Sequence, residues 1–181
     1  ILFSIIGICI IFTIYFMNKD LIDKYIEPVP LELTTDKETI EYGDEIHFID
    51  YVRYYNEKHT LVIPLNQEFN KTQDYHLTYS ATNGIKKTTK QLTVKVVDTT
   101  KPCLELSQNE TTINKGEIFQ PQDYIKSVQD NYDSLTVGDV TINNNVDINK
   151  AGDYEVDYSL KDHHGNVAGL KMKGHVIENK H

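Results

Sequence analysis

The chain has no tryptophan and only two cysteines in 181 residues, Cys9 and Cys103. Cys9 sits inside an apolar run and Cys103 lies far downstream, so the disulfide framework that staples small secreted domains is excluded. Whatever folds here must hold together by core burial. Positive charge is scarce as well: 18 basic residues face 27 acidic ones, a formal net charge of −9. Nucleic-acid binding and docking onto anionic lipid both require clustered Lys and Arg, and no nucleic-acid partner is expected. Catalytic signatures are missing too. There is no G-x-S-x-G, no H-E-x-x-H and no Cys/His pairing. The EF-hand loop pattern and the H-x-x-x-H ligand spacing are also absent. An enzyme is therefore not expected. No catalytic, metal or cofactor-binding residue is assigned, no cofactor is implied, and the binding surface is left open.

What the chain does have begins with one long uncharged stretch, ILFSIIGICIIFTIYFM at 1–17. A bilayer core takes roughly 17–25 apolar residues in a helix. The stretch ends in Tyr15, Phe16 and Met17 rather than in the small residues of a signal-peptidase site. Cys9 follows Ile8 in mid-run, which does not suit a lipidated cysteine. An uncleaved transmembrane anchor over 1–17 is the expectation, with the membrane as partner. The flank at 18–27, NKDLIDKYIE, carries no basic excess and so fits the outer face. It reads as a short helical stalk over 18–30, ended by Pro28 and Pro30.

The remainder splits into two similar halves. Leu31-Glu32-Leu33 recurs as Leu104-Glu105-Leu106, Gly43 as Gly116, and Asp50-Tyr51-Val52 as Asp123-Tyr124-Ile125. Asp74-Tyr75 falls on Asp153-Tyr154, and LTVKVVD (92–98) on MKGHVIE (172–178). Recurrence on this scale marks an array of domains. Each half contains a long alternating segment. Tyr75, Leu77, Tyr79 and Ala81 share one face in the first. Tyr154, Val156, Tyr158 and Leu160 do so in the second. Period-two alternation predicts strands with one buried face. Leu92, Val94 and Val96 return across a two-residue Asn83-Gly84 turn, and Leu170, Met172 and Val176 answer in the second half. No long helical period interrupts them. The predicted class is all-β: two tandem antiparallel sandwiches, at 31–98 and 99–178, behind one N-terminal transmembrane helix, with a tail at 179–181.

Five motifs carry a resemblance. DTTKPCLEL (98–106), NKGEIF (114–119), DNYDSLTVGDV (130–140), AGDYEVDYSLKDHHGN (151–166) and GHVIE (174–178) resemble the bacterial surface immunoglobulin-like domain. The resemblance covers roughly 98–178 well. It covers 28–97 only in outline, because that half lacks the Asp-rich middle and keeps only Asn83-Gly84 of the last motif. It implies an extracellular Ig-like sandwich serving as a spacer or adhesive unit. On that basis the chain is expected to be a single-pass protein of the cell membrane, its C-terminal region extracellular, with a cell-wall, glycan or protein ligand. The alternative is the anchoring and spacer half of a larger cell-wall hydrolase or peptidase.

Three polar or aromatic clusters have competing readings. Asp162-His163-His164-Gly165-Asn166 suggests a metal site, but neighbouring strand residues point to opposite faces. An Asx turn capped by Asp162, with positive φ at Gly165 or Asn166, is expected instead. Asp130, Asn131, Asp133 and Asp139, with Asp98, could offer hard oxygens to calcium and so stiffen the tandem. Solvated turn carboxylates are expected there. Tyr51, Tyr54 and Tyr55 are a candidate adhesive patch, although alternate tyrosines are expected to pack in the first core. Cys103 is expected to pack as a small hydrophobe.

Overall fold

The computed structural model describes residues 11–179. The chain divides into two units, Ile1–Ile40 with Asp44–Val97, and Glu41–Gly43 with Asp98–His181.

In the first unit, residues 11–17 are helical and a turn at Asn18 leads into helix α1 (Lys19–Ile26). An Asp23 carboxylate one turn on from Lys19 pairs with it at 2.5 Å. The helix stops where it must. Glu27 precedes Pro28, and its ψ of 131° is extended because the proline ring clashes with a helical predecessor. No helix among the described residues is long and apolar enough to cross a membrane. The anchor expected over 1–17 falls mostly on residues 1–10, outside the described residues. The stretch expected as a stalk makes specific bonds to its own unit. Asn83 Nδ2 donates to the Lys24 carbonyl at 2.6 Å, Asn56 Nδ2 to Glu27 Oε1 at 3.2 Å, and Thr88 Oγ1 to the Val29 carbonyl at 2.6 Å.

Six strands follow: β1 (Leu31–Leu33), β2 (Lys37–Glu41), β3 (Val52–Tyr55), β4 (Thr60–Val62), β5 (Asp74–Thr82) and β6 (Lys87–Val97). They form a four-stranded sheet, β2-β6-β5-β4, and a two-stranded one, β1-β3. The alternating face is buried as its period requires: Tyr75, Leu77, Tyr79, Ala81, Leu92, Val94 and Val96 are all core residues. Leu77 lies opposite Leu92 and Tyr75 opposite Val94. The turn departs from expectation. Thr82 pairs with Lys87, so four residues, not two, connect the strands. Asn83 keeps φ negative and accepts from the Ile85 and Lys86 N–H groups through Oδ1, at 3.0 and 2.8 Å. This Asx bonding holds a longer loop, and only Gly84 takes positive φ, at 90°.

The second unit contains β7 (Cys103–Leu106), β8 (Glu110–Asn114), β9 (Ile125–Gln129), β10 (Val140–Asn144), β11 (Gly152–Lys161) and β12 (Val167–Ile177). The sheets are β10-β11-β12-β8 and β7-β9. They enclose one core, in which Leu104 of β7 packs with Val156, Tyr158 and Leu160 of β11 and Met172 of β12. Tyr158 donates its hydroxyl to the Pro121 carbonyl at 2.9 Å, which satisfies its one polar atom inside the core. The antiparallel expectation holds for β10-β11, β11-β12 and β7-β9. It fails for β8, which runs parallel to β12, Glu110 against Lys173 through Asn114 against Ile177. The chain leaves β7 in one sheet and enters the other at β8, beside the last strand.

Two side chains differ from the alternation read in the sequence. Cys103 is exposed, because Leu104 takes the inward position of β7. Leu170 is 37% exposed, although it lies opposite the buried Tyr158 in the β11–β12 pairing.

Candidate functional site

Three loops converge at one end of the second unit. The first precedes β7, the second follows β9, and the third joins β11 to β12. Their strands fix this meeting: Cys103 at the start of β7 pairs with Gln129 at the end of β9, and Lys161 pairs with Val167 across the third loop.

Each loop is shaped by its own aspartate. In the third, Asp162 Oδ1 accepts from the Asn166 N–H at 2.8 Å and Oδ2 from Asn166 Nδ2 at 2.7 Å. Gly165 has φ 97°, a region closed to most side chains, so the expected Asx turn is present. Burial pushes the Asp162 carboxyl up, but the Asn166 side chain and the N–H groups of Asn166, Gly165 and His164 outweigh it and hold the carboxyl low. In the second loop, Asp130 Oδ2 accepts from the Tyr132 and Asp133 N–H groups at 2.9 and 2.8 Å. In the first, Asp98 Oδ1 accepts from the Thr100 N–H at 3.2 Å. Glu41 braces that loop, accepting from the backbone and hydroxyl of both Thr99 and Thr100 at 2.8–3.0 Å. Burial raises the Glu41 carboxyl, yet these donors overcome it and bring it down to about 2.

The loops also place side chains against one another. His164 Nδ1 lies 3.1 Å from Asp98 Oδ2, and His163 Nδ1 lies 3.0 Å from Asp133 Oδ2. Asp133 further accepts the His163 N–H at 2.7 Å. Ligand atoms of Asp98, Asp133 and His164 all fall within 4.8 Å of one another. The Asp98 side chain is wholly buried and that of Asp133 is 10% exposed. Asp98 Oδ2 and Asp130 Oδ1 are buried oxygens that receive no hydrogen bond. His164 Nδ1 is thus close enough to Asp98 Oδ2 for an ion pair while making no hydrogen bond to it. Burial pushes the Asp98 carboxyl up, and the nearby charges of Asp130 and Asp162 push the same way, against the Thr100 N–H and His164. The Tyr132 ring packs edge-on to both His164, at 5.0 Å, and Tyr42, at 4.7 Å.

Of the sequence candidates, Asp98 and Asp133 come together, with Asp130 alongside. Asp139 does not: its Oδ2 accepts from the Thr136 N–H and hydroxyl at 2.7 and 2.8 Å, completing a capping box. Asn131 makes a long 3.5 Å contact to the Tyr42 carbonyl. His163 and His164 lie in the turn after β11, not in a strand, and engage different carboxylates of the same cluster. The sequence reading missed that the His pair and the Asp-rich loop form one cluster. The sequence carried no signal for this, because the two motifs follow β9 and β11, strands of different sheets that come together only in the folded unit.

The tyrosine patch lies in the first unit. Tyr54 is 53% exposed and Tyr51 and Tyr55 are half-buried, so the three do not pack together in the core. Tyr54 and Tyr55 line an open cleft of about 690 Å³ with Arg53 and Asn56.

Residues 105–172 match a family model described as the Ig-like domain of bacterial surface proteins. No curated protein matches the chain. Among solved structures, a lipoprotein of Bacteroides thetaiotaomicron is similar at 21% identity and TM-score 0.38. That alignment covers 44% of this chain and 39% of the lipoprotein, so the chain matches about two fifths of that protein's length. The first two extracellular domains of human mucin-like protocadherin align at 10% identity and TM-score 0.34, over 83% of this chain and 99% of that one. Drosophila N-cadherin domains one to four align at 14% identity and TM-score 0.39, over 83% and 50%. Such TM-scores define neither fold nor function for this chain.

Proposed function

We propose that the chain is a non-catalytic protein of the bacterial cell surface, built from two Ig-like units that act as spacer or adhesion modules. The observation that carries this reading is the family match over 105–172, which lies within the second unit. The first unit is read as a second copy because its strands follow the same order. The sheet β2-β6-β5-β4 corresponds to β8-β12-β11-β10, and β1-β3 to β7-β9. The buried Tyr79, bonded to the Phe48 carbonyl at 3.0 Å, corresponds to Tyr158 on Pro121. Residues 1–17 serve as the membrane tether and the units lie outside, as the uncharged run and its flank suggest. The ligand is a cell-wall component, glycan or protein, with the cleft beside Tyr54 and Tyr55 as the first surface to examine.

The test is protease treatment of intact bacteria expressing the full chain, followed by a glycan and cell-wall binding screen. Both units should be digested from outside. Protection from the protease until the cells are lysed would overturn the surface assignment.

A further inference from the structure

The convergent loops of the second unit hold more negative charge than their hydrogen bonds account for. Asp98 and Asp133 bring two carboxylates and His164 a ring nitrogen to one place, and Asp130 adds a third negative charge close enough to act on Asp98. Acidic turns are common, and an acidic turn alone would signify nothing. The unusual feature is Asp98. Its side chain is fully buried, its ligand atom lies within 4.8 Å of those of Asp133 and His164, and its Oδ2 accepts no hydrogen bond although His164 Nδ1 stands 3.1 Å away. Asp130 contributes a second buried oxygen in the same condition. An ionised carboxylate removed from water needs donors or a cation, because leaving it unmatched is costly.

We propose that Asp98, Asp130, Asp133 and His164 form a site for a hard divalent cation, calcium or manganese. Three of the four ligands offer carboxylate oxygen, which suits calcium and manganese better than zinc. Calcium takes 6–8 oxygen donors, so water would complete its shell. The turn bonds of Asp130 Oδ2 and Asp162 survive binding, since they use oxygens other than those left without donors. The cation takes the place of missing hydrogen bonds at Asp98 Oδ2 and Asp130 Oδ1. It thereby ties the loop before β7 to the loops after β9 and β11.

The experiment is thermal unfolding of the full chain in detergent micelles, after chelator treatment, with calcium, manganese or zinc added alone. A cation that binds only the folded state raises Tm. A rise on the order of 10 °C is expected once calcium or manganese exceeds its dissociation constant about a hundredfold. Asp98→Asn and Asp133→Asn should each remove most of that shift. No shift with either ion, a shift from zinc alone, or a shift that survives both substitutions overturns the proposal. Should Asp98→Asn fail to fold, terbium provides a second readout on the intact site. With no tryptophan in the chain, its emission must be sensitised by tyrosine, and Tyr132 is next to Asp133. Emission should be displaced by calcium and fall in Tyr132→Phe. Emission indifferent to both changes overturns the location. None of these outcomes bears on whether the chain reaches the cell surface.

Discussion

At the scale of single residues, the two buried tyrosines are the most informative. Tyr79 and Tyr158 are 0% and 1% exposed, and each donates to a backbone carbonyl beside a short 3-10 turn. Tyr158→Phe keeps the ring and strands the Pro121 carbonyl. The expected loss is about 1–2 kcal/mol in a urea titration. Burial pushes both phenols up to about 12. In the unfolded chain they ionise near 10, so the stability they contribute is complete below about pH 10 and drains away toward pH 12. Denaturation midpoints measured across that window should fall, and fall less in the double Phe variant. Glu41 behaves in the opposite sense. Its carboxyl titrates near 2 in the fold against 4.5 ordinarily. Its contribution is present above pH 4.5 and lost as pH drops toward 2. Glu41→Gln should flatten that acid limb in a pH series of thermal melts.

At the scale of elements, the β11–β12 hairpin shows what can be read from a sequence and what cannot. Its alternation was legible because residues two apart share a face, and Val156, Tyr158, Leu160 and Met172 are all buried. The Asx turn was legible as well, because Asp162 and Asn166 bond locally. Gly165→Ala tests it. An added Cβ would meet only Lys161 Cε at 3.9 Å, so the cost is backbone strain, about 1–2 kcal/mol. Circular dichroism melts of the variant should reveal that loss. The length of the Asn83 turn was not legible, because an Asx-bonded loop of four residues and a tight hairpin of two share the same Asn-Gly pair. The break between β7 and β8 was also hidden. Whether a strand continues or crosses to the other sheet depends on which partner lies beside it, and here that partner is the distant β12. The candidate site was hidden for the same reason. Residues 98, 130–133 and 162–164 meet only after the strands are paired.

At the scale of the whole molecule, each unit carries its own buried face. Leu160 packs with Leu104, Val156, Tyr158 and Met172, all from the second unit. Leu160→Ala should cost about 2–5 kcal/mol. Hydrogen exchange should then accelerate across β7 to β12 while β5 and β6 retain their protection. Equal acceleration in both units would mean that they unfold as one body. Cys103 is a free thiol, so no disulfide among the described residues restrains the exposed chain and the measurement is direct.

The parallel contact of β8 with β12 has a mechanical consequence. One strand lies near the start of the second unit and the other closes it, and both run the same way. Pulling the unit by its two ends drags these neighbours past each other lengthwise. Their cross-strand bonds are then loaded together in shear and must fail as a group, whereas a hairpin pulled open from its free ends peels one bond at a time. A domain under tension would resist it best with its last strand held against an early one in this way.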